Sequence, residues 1–516
     1  MSKITKLLVV LFCVVLMSFV FTGCDTSEEI PATPSSEGLA FELNEDGQSY
    51  TCTGIGTCTD TEIAIGTYND LPVTNIGGNA FLKCEQITGI TIGAEVKFIE
   101  FAAFMECANL SQIRLVGDDI DISYNSFKKT AYFENSANWE NGILYIDQYL
   151  IATKSEEISG NITVKDGTKN IIACAFRDCC QMTSISLPDS IIKLGWGAFY
   201  GCTSMTSFTF PPNVDRISGG LFAGCTALTN MTIPNSIVRI EDREMKAGSV
   251  TIRAGAFENC TSLTSITIPD SVTYIGSNAF AGCVALTNIT IPDSVEGLGE
   301  SAFAGCTGLT SIKLSKKIQT IEKNTFLDCV ALTDIEIPNS VTTIGGKELS
   351  AGLHNGGAFQ GCTSLTSIII PDSVTVIEGC AFVECTGLNS ITLPDTLTSL
   401  GPWAFENTAY YNDESNWENG VLYIGKHLID NDGSLTGEYI IKEGTLTIGG
   451  CAFRGCSELT NVILPNSIKN IGENAFSRIR FTDIYFTGTE AEWNAIEGLA
   501  DADISSSATI HYNYTP

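Results

Sequence analysis

One phrase of 23 residues is repeated along most of this chain, and it constrains the fold more than any other feature. A representative copy is AFENCTSLTSITIPDSVTYIG at residues 256–276, and the phrase starts again at residue 279. A period of this length is typical of a solenoid, in which each unit packs only against its neighbours. The sequence therefore predicts one elongated domain. The anchor Phe recurs in fifteen units, at Phe81, Phe104, Phe127, Phe176, Phe199, Phe222, Phe257, Phe280, Phe303, Phe326, Phe359, Phe382, Phe405, Phe453 and Phe476.

The first half of each unit predicts a short strand. Leu263, Ile266 and Ile268 have the L-x-x-L-x-L spacing of a leucine-rich repeat. Because successive side chains of a strand face opposite sides, Ser265 and Thr267 are expected to point outward. Strands of neighbouring units should stack in parallel, since one unit cannot bury both of its faces alone.

The second half of each unit returns the chain to the next strand. Pro269 cannot donate to a ladder and is expected to end the strand. Val272 and Ile275 supply apolar side chains to the core, and one helical or 3₁₀ turn should then place Phe280 inward. We therefore predict a right-handed coil of stacked parallel strands and short turns.

The start of the chain predicts export and anchoring. Residues 1–23 carry Lys3 and Lys6, then an apolar run over residues 7–21, as in a signal peptide. The following Thr22-Gly23-Cys24 resembles the lipobox of bacterial lipoproteins, which implies that Cys24 is lipidated; an ordinary cleaved signal is the alternative. Residues 24–38 are rich in Thr, Ser, Pro and Glu, so we expect a flexible tether after Cys24.

The full phrase resembles a known family. The pattern A-F-x-G-C-T-x-L-T-x-I-x-I-P-D-S-V-T-x-I-G, as at residues 302–318 and 358–377, is similar to the BspA-type leucine-rich repeats of bacterial surface proteins. The resemblance implies a leucine-rich-repeat solenoid over residues 76–480, an N-terminal β cap at 39–75 and a C-terminal cap at 481–516. It also implies export, display at the cell surface and binding of proteins or other cells.

Four insertions interrupt the period. Two short ones, at residues 242–253 and 346–355, are expected to form outer loops. Two long ones, at about 128–172 and 406–450, share the pattern N-W-E-N-G-[IV]-L-Y-I, which predicts a β-hairpin. Their Trp139, Tyr145, Trp417 and Tyr423 are candidates for binding, because exposed aromatic side chains are common at interfaces. The alternative is that these aromatic residues cover the widened coil as core.

Cysteine forms a column three residues after the anchor Phe. Stacked side chains point the same way, which favours buried free thiols over disulfides between coils. Local disulfides remain an alternative where a unit carries two cysteines, at Cys174/Cys179, Cys380/Cys385 and Cys451/Cys456, and at Cys52/Cys58 in the N-terminal cap.

The residue inventory gives no support for catalysis, a metal or a cofactor. The three histidines, His354, His427 and His511, are scattered, and neither H-E-x-x-H nor G-x-S-x-G is present. The turn acids form a column that resembles calcium-binding solenoids, but Lys316 occupies one of its positions, so turn chemistry explains it better. A formal net charge of -31 makes nucleic acid and anionic lipid surfaces poor partners, so we expect no nucleic-acid ligand.

The outward positions of the predicted strands remain as the candidate binding face. They are mostly small and polar, with local charged stripes, which fits either a shallow binding surface or a merely solvated sheet. These positions are Gln112, Arg114, Ser184, Ser186, Ser207, Thr209, Asn230, Thr232, Ser265, Thr267, Asn288, Thr290, Ser311, Lys313, Asp334, Glu336, Ser390 and Thr392.

These patterns together predict a bacterial lipoprotein, held on the outer side of a membrane by its N-terminal lipid only. Its solenoid should act as a non-catalytic binding or adhesion module for an extracellular protein or glycan. Two alternatives stay open: a structural spacer or envelope component without a specific ligand, and the carrier of an extracellular hydrolase activity, which the inventory disfavours.

The anchor gives a direct prediction. Cys24→Ala removes the thiol to which the lipid would be attached, so the variant should be released from membranes. Fractionation of producing cells into membrane and released material measures this. Unchanged retention of the variant in the membrane fraction would refute lipidation at Cys24.

Overall fold

The computed structural model describes residues 32–241, 254–346 and 356–516, together with the backbone of two short strands, Met245–Ala247 and Val250–Ile252. The predicted signal, Cys24 and the first part of the tether lie outside the described residues. So do the insertion at 347–355 with His354 and the side chains of residues 242–253. Helix is scarce in the described part: the α-helices are Ala131–Glu134, Ala409–Asn412 and Glu490–Trp493, and the 3₁₀-helices are Ser136–Asn138 and Glu414–Asn416.

The predicted strands form a parallel ladder along one side of the solenoid, which we call the strand face. Its register follows the repeat, since Asn288 pairs with Ser311 and Ile289 pairs with Ile312. The alternation is as expected: Ile266 is buried, while Ser265 and Thr267 are exposed. The strands are Glu62–Ile65, Gly89–Ile92, Gln112–Leu115, Ser159–Thr163, Gln181–Ser186, Asn230–Thr232, Ser265–Thr267, Asn288–Thr290, Ser311–Lys313, Asp334–Ile335, Ser367–Ile369, Ser390–Thr392, Gly437–Ile440, Leu459–Leu464, Asp483–Phe486 and Thr509–His511.

A second parallel ladder runs along another side, and the sequence did not predict it. Tyr274–Ile275, expected only to return apolar bulk to the core, pairs with Gly297–Leu298. Its strands are Tyr50–Gly54, Leu71–Ile76, Phe98–Ile99, Asp121–Ile122, Tyr149–Thr153, Asn170–Ile171, Lys193–Leu194, Arg216–Ile217, Arg239–Ile240, Tyr274–Ile275, Gly297–Leu298, Thr320–Ile321, Thr343–Ile344, Val376–Ile377, Ser399–Leu400, His427–Asn431, Thr447–Ile448 and Asn470–Ile471. Such short strands escape detection because two residues give no measurable alternation.

The turns that carry the anchor Phe stack on the third side, and we call this the turn stack. The main-chain N–H of Phe280 donates to the carbonyl of Ala302 in the next coil at 2.8 Å, and that of Gly282 donates to Ala304 at 2.7 Å. The residues that alternate with them donate inside their own coil, as Ala281 does to the Asn278 carbonyl at 3.0 Å and Cys283 to the Phe280 carbonyl at 3.1 Å. Alternate main-chain N–H groups therefore form hydrogen bonds to the neighbouring coil, while the others close i→i+3 turns within their own coil.

Left-handed backbone accompanies this alternation at two positions: two residues before the anchor Phe in most units, and two residues after it. Asn278 and Gly282 have φ values of 55° and 71°, and every unit has a positive φ at the second position. Asn and Gly tolerate this conformation best. The extra cysteines Cys174, Cys380 and Cys451 occupy the first position, two residues before an anchor Phe. Their φ values are 57–58°.

The anchor Phe rings and the column cysteines fill the core beneath the turn stack. The rings of Phe257 and Phe280 are stacked with centroids 5.3 Å apart and planes 3° from parallel. The Cys283 thiol donates to the Phe257 carbonyl of the preceding coil at 3.2 Å. The column cysteines that make this bond are Cys107, Cys202, Cys225, Cys260, Cys283, Cys306, Cys329, Cys362 and Cys385. A small buried residue with a weak donor thus suits this position.

All 18 cysteines among the described residues are free thiols. The disulfide considered for Cys52 and Cys58 is therefore not formed, although both side chains are buried, and the same holds for the three local pairs. Burial raises the pKa of the Cys52 and Cys306 thiols to about 12, so these groups stay protonated at neutral pH.

Both ends of the solenoid are covered. At the N-terminal end, Ala40–Leu43 pairs antiparallel with Tyr50–Gly54, and the short strand Thr67–Tyr68 pairs with Leu71–Ile76. Residues 33–36 hydrogen-bond to this region, since the Ser36 N–H donates to the Ala64 carbonyl at 2.9 Å. Residues 33–36 are therefore part of the folded N-terminal end, although the sequence predicted a flexible tether over residues 24–38.

At the C-terminal end, the strand face continues through the predicted cap. A capping box between Thr489 and Glu492 starts the helix Glu490–Trp493. Trp493 packs edge-on against Phe486 with ring centroids 5.4 Å apart. The cap thus places one aromatic side chain over the last turns of the core.

The thiols give a test of this arrangement. In a protein of residues 25–516, which contains 18 cysteines, a maleimide should label the exposed Cys180 readily before unfolding and all 18 thiols after it. The buried thiols should react only in denaturant, because burial blocks access of the maleimide and keeps the thiols protonated, and only the thiolate reacts. Intact mass spectrometry counts the labels. A count lower by two or more in denaturant would reveal disulfides that this structure does not contain.

Candidate functional site

The strand face brings the predicted binding residues onto one side of the molecule, where the strands form several short parallel sheets in succession. In register, Asn230 pairs with Ser265 and Thr232 with Thr267. All the predicted positions have solvent-accessible side chains, and only Ser184 is half-buried. The structure therefore gathers on one surface residues that lie as far apart in sequence as Gln112 and Thr392.

Some of the polar groups on this face bond to one another across the coils. The Ser265 hydroxyl donates to the Asn230 amide oxygen at 2.8 Å, and the Ser184 hydroxyl donates to Asn161 at 2.9 Å. Such bonds hold the side chains close to the sheet. The result is a flat surface with partly satisfied polar groups.

The face is interrupted at Ser207 and Thr209. Both side chains are exposed, but residues 206–210 form no strand in the described structure. Two aromatic residues alternate with them: Phe208 and Phe210 are buried, and their rings pack edge-on against Phe222. Bulky rings in place of Ile displace the backbone from the ladder.

Four charged side chains at the predicted positions of this face lack ion-pair partners in the part of the chain that the structure describes, whereas Asp483 near the C-terminus is paired with His511 at 2.7 Å. Arg114, Lys313, Asp334 and Glu336 are all exposed, and no salt bridge within 4.0 Å involves them. Lys313 lies beside Thr290 in register. These four groups are accessible to a ligand without the breaking of an internal pair.

Sequence reasoning missed an apolar part of the same face. Ile369, in the outward position beside Thr392, is 72% exposed, and Ile440 is 55% exposed. Nearer the C-terminus, Tyr485 stacks on His511 with ring centroids 4.7 Å apart. These residues occupy the same outward column as the predicted polar ones. Applying the period-2 alternation to every strand, including the last, would have found them.

The two hairpins form as predicted at Ile143–Ile146 with Tyr149–Thr153, and at Val421–Ile424 with His427–Asn431. The two-residue strands Trp139–Glu140 and Trp417–Glu418 extend each hairpin sheet. The last hairpin strand joins the second ladder in each case. Each insertion therefore adds a coil to the solenoid.

The candidate hairpin aromatics use their polar atoms inside the insertion. The indole N–H of Trp139 donates to the Phe133 carbonyl at 2.7 Å, and Trp417 makes the same bond at 2.7 Å. Both indoles are half-buried. Tyr145 and Tyr423 are buried, and lysine ammonium groups lie 5.5 and 5.4 Å from their ring centroids.

Each inserted coil lacks the turn that carries the anchor Phe, and this leaves a gap in the turn stack. The anchor Phe N–H donates to the next coil in thirteen of fifteen units, and the exceptions are Phe127 and Phe405. We call the space after Phe127 the first gap and the space after Phe405 the second gap. The ring stack is also broken there, because Phe127 does not stack on Phe176 and Phe405 does not stack on Phe453.

One polar side chain replaces the missing backbone in each gap. The Thr153 hydroxyl donates to the Ala175 carbonyl at 2.8 Å, and its oxygen lies 3.2 Å from the Cys179 sulfur. In the second gap, the Asn431 amide donates to the Ala452 carbonyl at 2.6 Å and accepts from Cys456. In regular coils, the equivalent carbonyl accepts from the N–H of the anchor Phe of the preceding coil. The equivalent thiol donates to the carbonyl of that same Phe.

A buried histidine distinguishes the second hairpin from the first. His427 is fully buried, its Nε2–H donates to the Pro394 carbonyl at 3.1 Å, and the Thr447 hydroxyl lies 2.7 Å from Nδ1. The first hairpin has Tyr149 at this position. Burial lowers the pKa of His427 below its usual range, so its neutral form is favoured.

No group of three or more His, Cys, Asp or Glu side chains in the described ranges could hold a metal ion. Nor does any helix of that part have the length and apolar character needed to cross a bilayer. The surfaces that remain for function are the strand face and the first gap.

The repeats identify the family. The chain matches the family model of the BspA type leucine rich repeat region over residues 74–161, 152–249, 244–351, 355–437 and 423–497. These segments cover most of the chain, which therefore belongs to this family. Solenoids of this class are binding scaffolds that present extended surfaces. No curated protein matches the sequence.

Several solved structures are similar to this chain. A leucine-rich repeat protein from Bacteroides ovatus is 20% identical, with 92% of this chain and 98% of that one covered and a TM-score of 0.39. A leucine rich cell surface protein from Faecalibacterium prausnitzii is 23% identical, with 92% and 99% covered and a TM-score of 0.30. A leucine-rich repeat protein from Eubacterium ventriosum is 19% identical, with 76% of this chain and 98% of that one covered and a TM-score of 0.38. These TM-scores are low, so the family assignment rests on the repeats.

The buried histidine predicts acid sensitivity. Because the pKa of His427 is lowered in the folded protein, the unfolded chain binds more protons once the pH falls below about 6.5. The free energy of unfolding should then decrease with falling pH by up to about 1.4 kcal/mol per unit relative to His427→Gln. Urea unfolding of both proteins across this range measures the difference.

Neighbouring groups do not obscure that comparison. Asp395 and Lys426 influence His427 in opposite directions. Burial raises the pKa of Asp430 to about 6, which acts in the opposite sense on stability but is common to both proteins. Parallel pH profiles of wild type and variant would contradict the assignment of a buried neutral imidazole.

Proposed function

We propose that this protein is a non-catalytic surface-binding module that presents its strand face to an extracellular protein or glycan. Its family consists of repeat scaffolds, and the N-terminal sequence with Cys24 supports export and lipid anchoring to the outer side of a membrane. A solenoid anchored at one end extends its flat face away from the membrane. Adhesion is the function that this arrangement serves best.

The observation that carries the proposal is the combination of exposed groups on the strand face. The ladder presents accessible charges at Arg114, Lys313 and Glu336 without internal ion pairs in the described structure, and it adds the exposed Ile369. When a ligand pairs with a charged side chain that has no internal partner, no existing ion pair has to be broken. The exposed Ile369 adds an apolar group that a ligand could cover beside these charges.

A spacer without a ligand is the second candidate. It is favoured by the hydrogen bonds that hydroxyl and amide groups such as Ser265 and Asn230 form with one another, because these bonds occur without any ligand. The two candidates differ in one measurable respect, which is saturable binding.

Charge reversal on the strand face should weaken binding. Residues 25–516 would be screened against extracellular matrix proteins, glycan arrays and the producer's own envelope. For a ligand found in this way, Lys313→Glu or Glu336→Lys is expected to lower the affinity about tenfold, because each replaces a complementary charge by a repulsive one. Titration by surface plasmon resonance gives the dissociation constants.

Lys469→Glu provides the matched control, since Lys469 is exposed but adjoins the second ladder. It should leave the affinity unchanged. Equal losses for Lys313→Glu and Lys469→Glu would indicate a non-specific charge effect. Absence of saturable binding to any probe would favour the spacer.

A further inference from the structure

We propose that the first gap is a second binding site, which takes an extended peptide segment of a partner protein. The segment would carry an apolar side chain next to a carboxylate, and its oxygen atoms would accept hydrogen bonds from the main-chain N–H groups of Asn125 and Phe127. This site is distinct from the strand face, and it does not depend on the function proposed for that face.

The first observation is a pair of amides without acceptors. The N–H groups of Asn125 and Phe127 stand two residues apart. The Phe position donates to the next coil in all the other units except that of Phe405, and the Asn125 position does so in about half of the units, as at Asn278. Neither has a hydrogen-bond partner among the described residues. Phe127 is buried and Asn125 is half-buried. Because buried main-chain donors are nearly always paired, the unpaired N–H of Phe127 indicates a place where a partner is missing, and the N–H of Asn125 lies beside it.

The second observation is a cavity of about 460 Å³ at the same place, and Asn125 and Phe127 both line it. Its floor is apolar, with Phe133, Ile151 and Ile172. A cavity of this size with an apolar floor and a few convergent polar groups is typical of a ligand site. It accommodates one or two apolar side chains.

The polar groups around the cavity specify an acceptor-rich ligand. The carbonyl of Ala175 on the opposite wall accepts from Thr153, so it is not available to a ligand, whereas the N–H groups of Asn125 and Phe127 are available donors. Lys128 lines the rim and makes no ion pair within the described residues. Arg177 also lines it, bonded to the neighbouring Asp178 at 3.3 Å. Two cations beside two free amides favour carboxylate and carbonyl oxygens.

An extended peptide fits these donors better than a compact small molecule. In regular coils the same alternate amides bond to a neighbouring stretch of backbone, so the first gap offers the pattern for adding one more stretch. Addition of a strand-like segment to unpaired backbone is a common mode of peptide recognition. The peptide would take the place of the turn that the inserted coil lacks.

The second gap supplies an internal comparison. Trp403 stands where the first gap has Asn125, and both residues have left-handed backbone, with φ values of 56° and 63°. The Arg454 guanidinium lies 5.8 Å from the centroid of the Trp403 indole ring. A hydrogen bond of 2.9 Å joins Tyr411 to Asp430 at the positions of Phe133 and Ala152. The same space is thus spanned by bulkier and polar side chains in the second gap.

This comparison defines the test variant. Asn125→Trp places in the first gap the residue that the chain itself carries at the second, in a backbone conformation that Trp403 already adopts. The matched control is Asn474→Trp, which also has a left-handed backbone, with φ of 55°, but belongs to a regular coil. Thermal unfolding would verify that both variants fold; Ala152→Leu, which fills the floor, is the reserve if Asn125→Trp does not.

The experiment uses a displayed library of random linear peptides, selected on residues 25–516. We expect enrichment of peptides with an apolar residue next to an acidic one, whose affinity falls at least about tenfold in Asn125→Trp, because two hydrogen bonds and the apolar contact are lost together. The affinity should be unchanged in Asn474→Trp and in Lys313→Glu. Hydrogen exchange of the Asn125 and Phe127 amides should slow on peptide binding.

Three outcomes would overturn the proposal. They are a selection without enriched peptides, enriched peptides that bind Asn125→Trp as tightly as wild type, and unchanged exchange of the two amides in the complex. Loss of binding in Lys313→Glu with retention in Asn125→Trp would place the peptide on the strand face and refute the gap. Failure of the strand-face ligand screen alone has no bearing on this site.

Discussion

The hydrogen bond from the anchor Phe N–H to the carbonyl of the next coil is the constraint on which the rest of this solenoid depends. Left-handed backbone flanks the Phe in most units, and this conformation favours Asn and Gly at those positions, as at Asn278 and Gly282. The hydrogen bond also fixes the coil spacing, so that Phe257 and Phe280 stack and the Cys283 thiol reaches the Phe257 carbonyl. The Phe, Asn, Gly and Cys columns are therefore consequences of one backbone arrangement and need no ligand to explain them.

The insertions show what happens when that bond is lost. Each inserted coil brings a hairpin but no turn, so two groups of the following coil lose their partners. Thr153 and Asn431 both act as donor and acceptor, and each satisfies a carbonyl and a thiol that the missing Phe would have satisfied. Unpaired buried polar groups are costly, which explains why two different residues with the same dual capacity occupy this position. No side chain replaces the missing partner on the other side of each gap. There the N–H groups of Phe127 and Phe405 have no acceptor among the described residues.

Much of this fold could be predicted from the sequence, because the apolar alternation around Ile266 and the 23-residue period report directly on burial and stacking. The second ladder at Tyr274–Ile275 could not, since two-residue strands are defined by partners in other coils rather than by a local pattern. The unpaired state of Cys52 and Cys58 depends on three-dimensional geometry that spacing does not give. On the candidate site, the polar outward positions were found from alternation alone, while the exposure of Ile369 and the cavity beside Phe127 required the structure.

Specificity in a regular repeat has to come from positions that the repeat rule leaves free or breaks. Ser265 and Asn230 follow the rule and bond to each other, so they distinguish no ligand. Lys313, Glu336 and Ile369 depart from the small polar pattern without an internal partner, which makes them the part of the strand face where two ligands would differ most in affinity. The first gap breaks the rule at the level of the backbone, and its counterpart with Trp403 shows that the chain also carries a spanned version. A gap that one bulky side chain at Asn125 would span, yet that the sequence leaves open, is better explained by an occupant than by stability.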